Sequence, residues 1–165
     1  MDRVQKWTWE MFFKAHFVIF IRSQQTKENE ADFGRPSSPD MFADPNKRNL
    51  VAEVSTKEVV VYNEGKSPKI IAYDCGMKYN IIRYLVDTHD VQLTVVPFDY
   101  DLEANPKNIE WEGLFLSNGP GDPAMCSQTV KSIKYALELE NPKPIFGICL
   151  GSQLLALAAG AKTYK

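Results

Sequence analysis

The residues best suited to chemistry lie in Gly147-Ile148-Cys149-Leu150-Gly151-Ser152-Gln153, between a short apolar run and a stretch rich in alanine and leucine. A cysteine at that junction is predicted to sit on a sharp strand-to-helix turn, with its sulfur exposed at the rim of a sheet. The turn crowds its neighbours, and side chains at positions 147 and 151 would collide with adjacent backbone, so both are glycine. The helix that follows aims unpaired N–H groups and its positive dipole end at the sulfur, an arrangement that favours thiolate over thiol. Burial as a structural thiol is the usual fate of an unpaired cysteine. The paired glycines point instead to a nucleophile.

A second stretch, Ser117-Asn118-Gly119-Pro120-Gly121-Asp122-Pro123, packs two glycines and two prolines into seven residues. Such a loop is rigid and lets a ligand approach its backbone closely. Acyl transfer through a thiolate needs hydrogen-bond donors aimed at the developing oxyanion. The N–H of Leu150, directly after the nucleophile, is one natural donor. The N–H of Gly121 is the natural second. Taken alone, the loop reads as a tight turn; paired with the cysteine turn, it reads as half of a site. Cys75 lacks flanking glycines on both sides and reads as packing. Asp99 and Asp101 read as solvated loop acids. His89, between Asp87 and Asp90 at a helix end and ahead of a strand, belongs at the opposite sheet edge from Cys149 and is not assigned as a base.

The elements that would carry these loops alternate. Residues 50–62 are β-branched and predict a strand pair or a single edge strand. Ile70–Tyr73, Val91–Phe98, Leu114–Leu116 and Ile145–Ile148 are short apolar strands. Helical spacing marks Ile81, Ile82, Leu85 and Val86, then Ile133, Ala136 and Leu137, and a last helix from about Gly151 to Ala159. Strands apolar on both faces, alternating with helices, predict an α/β fold: an open, mostly parallel sheet flanked by helices. Sites in such sheets form at the carboxyl ends of the strands, where Cys149 and the glycine loop both fall.

The chain has 165 residues, room for one ordinary domain, and a net charge of −2, which makes no electrostatic case for nucleic acid or an acidic membrane surface. Three widely spaced cysteines, no CxxC pair and only His16 and His89 argue against a zinc site and for a reducing compartment. The apolar run Met11–Ile21 is too short to span a bilayer. No small-residue cleavage site follows it, and its basic flanks are diluted by Asp2 and Glu10, so neither a signal peptide nor a mitochondrial presequence is specified. Residues 23–49, with Pro36, Pro39 and Pro45, read as a linker.

With these motifs in place, the chain resembles the class I glutamine amidotransferases, and more narrowly the glutaminase portion of a carbamoyl-phosphate synthetase. The resemblance runs from about Phe42 to Lys165. It is carried by Asp44-Pro45-Asn46, Glu53-Val54-Ser55-Thr56-Lys57, Asp74-Cys75-Gly76-Met77-Lys78, Leu116 to Pro123, Gly147 to Gly151, and Gly160 to Lys165. It implies a flavodoxin-like α/β domain over residues 67–165, incomplete at its C-terminus. Residues 41–66 would then be a remnant of a small N-terminal domain with its linker, and residues 1–40 an atypical leader without an assigned fold.

The resemblance further implies that Cys149 attacks the side-chain amide of L-glutamine, releasing ammonia and leaving a γ-glutamyl thioester. Gly119 and Gly121 would contact the glutamine, with Leu150 and Gln153 beside the nucleophile. Ser152 stands where many relatives carry His or Asn. Some ammonia-dependent relatives lack the cysteine that this chain keeps. No cofactor or metal is expected in this domain. ATP, magnesium and bicarbonate would be used by a synthetase (ATP-grasp) portion, fused or separate, as the partner. The family's base is a histidine backed by an acid, both downstream of the cysteine; this chain ends at Lys165 without them, so the fragment is expected to be inactive alone. A non-catalytic docking or regulatory module is the alternative, and a flavodoxin-like small-ligand binder is a third reading, disfavoured because GxGxxG is absent. The stretch Asp44–Lys57 looks like the arginine/urea-type enzymes, which points inside the cell and toward mitochondria over the cytoplasm.

Overall fold

The computed structural model describes residues 47–163. The expectations for the leader, for Met11–Ile21 and for most of the linker lie outside the described residues.

Asn49 opens the first element. Its side-chain oxygen accepts from Ala52 N–H at 3.1 Å and caps a one-turn helix α1, Leu50–Val54, which buries Val51. The β-branched residues here were expected to form a strand. The cap and the burial of Val51 decide for a helix over a weak local preference. The edge-strand reading holds for the residues that follow: β1 is Val60–Tyr62 and pairs antiparallel with β3, Gln92–Pro97.

β2 (Lys69–Asp74) lies at the centre, parallel to β3 on one side and to β4 (Gly113–Leu116) on the other. β5 (Ile145–Gly147) continues the sheet beyond β4, giving the order β1-β3-β2-β4-β5. This is the open, mostly parallel sheet that the alternating pattern predicts. Helix α2 (Tyr79–Arg83) runs into a π-helical turn, Tyr84–Thr88, between β2 and β3. Helices α3 (Ser127–Leu137) and α4 (Leu150–Ala158) flank β5 in sequence.

Alternation along the strands splits the core in two. Ile71, Tyr73, Val96, Leu114 and Leu116 face a cluster that includes Ile133 and Ala136 of α3 and Leu150 and Leu154 of α4. Ile70, Ala72, Leu93, Val95 and Phe115 face a second cluster with Ile82 of α2. Each fully buried aliphatic side chain contributes about 1.5–3 kcal/mol, so both faces tie the sheet to its helices. Tyr73, wholly buried, still donates its hydroxyl to Tyr100 O at 2.9 Å.

Two of the three cysteines are core residues. Cys75 and Cys126 are both 0% exposed, as expected for Cys75, while Cys149 is exposed. Burial pushes the Cys75 thiol up to about 12 and the Cys126 thiol up to about 11. Released by unfolding, both thiols would ionise near their ordinary value of 9.0. Between pH 9 and 12 the unfolded chain therefore binds fewer protons than the native one, and stability falls as pH rises. The urea midpoint is expected to be level from pH 7 to 8 and to drop by pH 10–11, with a shallower drop in Cys126→Ala. A midpoint that does not move over that range would refute the account.

Candidate active site

The strand order reverses at β2: the chain leaves it toward β3, then crosses back to β4 on the other side. Open α/β sheets bind ligands outside the carboxyl ends of the strands at such a reversal, and the loops leaving β2 and β4 meet there. The loop after β5 is the next neighbour, since Leu116 of β4 is in register with Gly147 of β5.

Past Gly147, Ile148 N–H donates back to Leu116 O at 3.0 Å, and the chain turns sharply. Cys149 sits at the turn with φ 51° and ψ −109°, a conformation that a non-glycine residue holds only at a cost of about 1–3 kcal/mol. Its carbonyl oxygen is held in place by Ser152 N–H at 3.0 Å, Gln153 N–H at 3.2 Å and the Ser152 hydroxyl at 2.6 Å. The glycines are required for space: a methyl group at Gly147 would lie 2.6 Å from Gly151 backbone, and one at Gly151 would lie 2.2 Å from Leu116 O. This is a strained strand-to-helix elbow, a geometry in which a side chain is exposed at the top of the sheet. The Leu150 N–H donates to no protein acceptor among the described residues. Gln153 is exposed on the first turn of α4.

The glycine loop lies directly beside the elbow. A methyl group at Gly119 would fall 2.8 Å from Leu150 Cδ2 on one side and 2.1 Å from Cys75 O on the other. Gly121 is a glycine for a different reason, its φ of 84°, and Leu50 of α1 covers it. The Gly121 N–H, like that of Leu150, has no protein acceptor among the described residues. Cys149, Leu150, Gly119, Gly121 and Gln153 thus come from two adjacent turns and the first turn of α4, at one sheet edge.

Contacts beneath the loop were not visible as such in the sequence. Ser117, fully buried, accepts from Cys75 N–H at 2.9 Å and donates to Asn118 O at 2.8 Å. The Asn118 side chain donates to Gly76 O at 2.9 Å and accepts from Lys78 N–H at 3.4 Å. Asp74 accepts from Gly76 N–H at 2.9 Å and Met77 N–H at 2.7 Å with one carboxylate oxygen, and from Thr56 N–H at 2.8 Å with the other. The available signal was Asp74-Cys75-Gly76-Met77, an aspartate at a strand end followed by glycine, which is the pattern of a side-chain-closed turn.

His89 lies where the topology requires, ahead of β3 at the amino-terminal edge of the sheet, with its ring edge-on to Tyr84 at 4.7 Å. No histidine among the described residues stands at the edge that carries Cys149. No cluster of potential metal ligands occurs among the described residues, and no described helix is long and apolar enough to cross a membrane.

Residues 71–165 match the family described as Glutamine amidotransferase class-I. The chain belongs to that family.

This amidotransferase is similar to the multifunctional protein CAD of Squalus acanthias, 56% identical over 124 residues, which cover 75% of this chain and 5% of that protein. It is 42% identical over 152 residues to the carbamoyl phosphate synthase arginine-specific small chain of Neurospora crassa, covering 90% of this chain and 33% of that one. It is 41% identical over 146 residues to human mitochondrial carbamoyl-phosphate synthase [ammonia], covering 88% of this chain and 9% of that one. The amidotransferase chain thus spans a third or less of the length of each of these relatives.

Proposed function

We propose that this chain is the glutaminase portion of a glutamine-hydrolysing carbamoyl-phosphate synthetase. The observation that carries the reading is Cys149, exposed at a strained elbow beside a glycine loop. The Cys149 sulfur attacks the side-chain carbonyl carbon of glutamine, and the Leu150 and Gly121 N–H groups receive the oxyanion. The C–N bond breaks, the nitrogen takes up a proton and leaves as ammonia, and a γ-glutamyl thioester remains. Water then attacks the same carbon, the C–S bond breaks, and glutamate departs with the thiol restored. Gly119 and Gln153 line the glutamine on either side of the nucleophile.

Relatives named as carbamoyl-phosphate synthases support the fate of the ammonia. A synthetase portion, fused or separate, joins it to bicarbonate with ATP and magnesium. This domain uses no cofactor of its own. Unpaired cysteines suit a reducing compartment inside the cell, and relatives named as mitochondrial favour that organelle. A second reading, an amidotransferase-like module kept for docking, is favoured by one observation: no histidine stands beside Cys149 among the described residues. General-base help contributes about a hundredfold to ten-thousandfold, so residues 1–165 alone should release little ammonia.

The test is labelling by a glutamine-like diazo-ketone. In the full-length protein the reagent is expected to modify Cys149 alone and to be blocked by glutamine, with Cys75 and Cys126 untouched. No modification at Cys149 would leave the docking reading in its place.

A further inference from the structure

The glycine loop has no regular structure of its own, yet the proposed chemistry requires its N–H to hold a fixed place. We propose that Asn118 is the positioning residue of that loop, its carboxamide clasping the loop to the turn after β2. The inference rests on the glutaminase reading above.

Both ends of the Asn118 side chain are engaged with backbone, Nδ2 with Gly76 O at 2.9 Å and Oδ1 with Lys78 N–H at 3.4 Å. Only a group carrying a donor and an acceptor on one short stem serves both. These partners leave the carboxamide committed to the protein rather than to a substrate. The turn it grips is rigid in its own right. Asp74 closes it through Gly76 N–H and Met77 N–H and ties it to Thr56. Gly76 has φ 114°, and a methyl group there would lie 3.0 Å from Pro120 Cδ. Ser117 completes the grip from the buried side through Cys75 N–H and Asn118 O.

The consequence for chemistry is geometric. The two oxyanion donors belong to different loops, Gly121 after β4 and Leu150 after β5. Gly119 packs against the Leu150 side chain from one side and Cys75 O from the other. Asn118 and Ser117 fix where the β4 loop lies, and so set the spacing between the donors. A misplacement of about 1 Å in such a pair can cost a hundredfold in rate.

The test compares two electrophiles on the full-length protein and its Asn118→Ala and Asn118→Asp variants. Asn118→Asp keeps the size and the acceptor for Lys78 N–H but loses the donor to Gly76 O, so it serves if Asn118→Ala fails to fold. The Cys149 sulfur alkylates a chloroketone analogue of glutamine by displacing chloride from the carbon beside its ketone, and the reaction is accelerated when the two N–H donors hold and polarise the ketone oxygen. Iodoacetamide also loses its halide to the sulfur, but it is too small to be seated as a glutamine analogue and gains little from those donors. The chloroketone rate is expected to fall about tenfold to a hundredfold in the variants, with the iodoacetamide rate within about twofold of the parent and kcat falling more than KM rises. Unchanged chloroketone rates in both variants would overturn the role of Asn118 while leaving the glutaminase reading intact. Parallel loss of both rates would overturn it too, as the mark of general unfolding. A parent protein that the chloroketone does not label would sink the glutaminase reading and the inference with it.

Discussion

Glutamine-dependent ammonia release, the activity proposed above, is expected to fall by about three orders of magnitude or more in Cys149→Ser, while synthesis driven by added ammonia in the proposed complex stays at the parent level. The size follows from the step removed. A serine hydroxyl at this elbow has neither the acidity nor the nucleophilicity of a thiol, and loss of the nucleophile removes the covalent route altogether. What remains is binding and the oxyanion donors, which act on a water far less well placed. The substitution changes one atom of an exposed residue, so the fold should be undisturbed. The ammonia-driven arm, measured with the proposed synthetase portion present, separates loss of chemistry from loss of structure. Glutaminase activity within tenfold of the parent would mean that Cys149 is not the nucleophile.

The second large effect concerns folding. In Gly151→Ala the new methyl group would sit 2.2 Å from Leu116 O, with Leu116 carbonyl carbon at 2.6 Å. The obstacle is backbone in a strand paired on both sides, so it cannot swing aside as a flexible side chain would. Overpacking of a core usually costs about 1–3 kcal/mol and sometimes more; here about 3 kcal/mol or more is expected, a large share of a domain's total stability. Gly65→Ala is the control. Its φ of 85° is unfavourable for alanine, unlike the backbone of helical Gly151, but nothing lies within 4 Å of the added carbon. Its cost should be only the backbone term of about 1–2 kcal/mol. Urea denaturation of the two variants decides it, and equal midpoints would show that the close packing of α4 on β4 is not what Gly151 provides.

The strands of the parallel sheet were legible in the sequence because burial on both faces leaves an unmistakable trace. Ile70–Tyr73 and Leu114–Leu116 are uninterrupted apolar runs, and each falls inside an observed strand. The elbow was legible for a similar reason, since Gly147 and Gly151 answer to contacts within a few residues of chain and to the strand beside them. Residues 50–54 were misread because their β-branched content is a weak preference, overridden by one cap from Asn49. The π-helical turn at Tyr84–Thr88 left no sequence signal. The bond from Asn118 to Gly76, and that from Cys75 to Ser117, each join residues 42 positions apart. They exist only because β4 lies beside β2, and nothing local in either stretch announces it. Site residues on one loop could be read singly, whereas the scaffold between two loops required the sheet.

The part of the chain that matches the family begins at residue 71, in the middle of β2. The molecule has no seam there. Leu50 rests on Gly121, Asn49 donates to Met125 O at 3.0 Å, Thr56 N–H is spent on Asp74, and β1 borders β3. The family signature and the mechanics therefore draw different borders through this protein: the signature starts at residue 71, whereas the contacts on the glycine loop and the turn after it reach back to Asn49 and Leu50, a stretch that the relatives, matching 75–90% of the chain, share in part. A piece trimmed to the signature would keep every atom named in the chemistry and lose the outer wall against which that loop is braced.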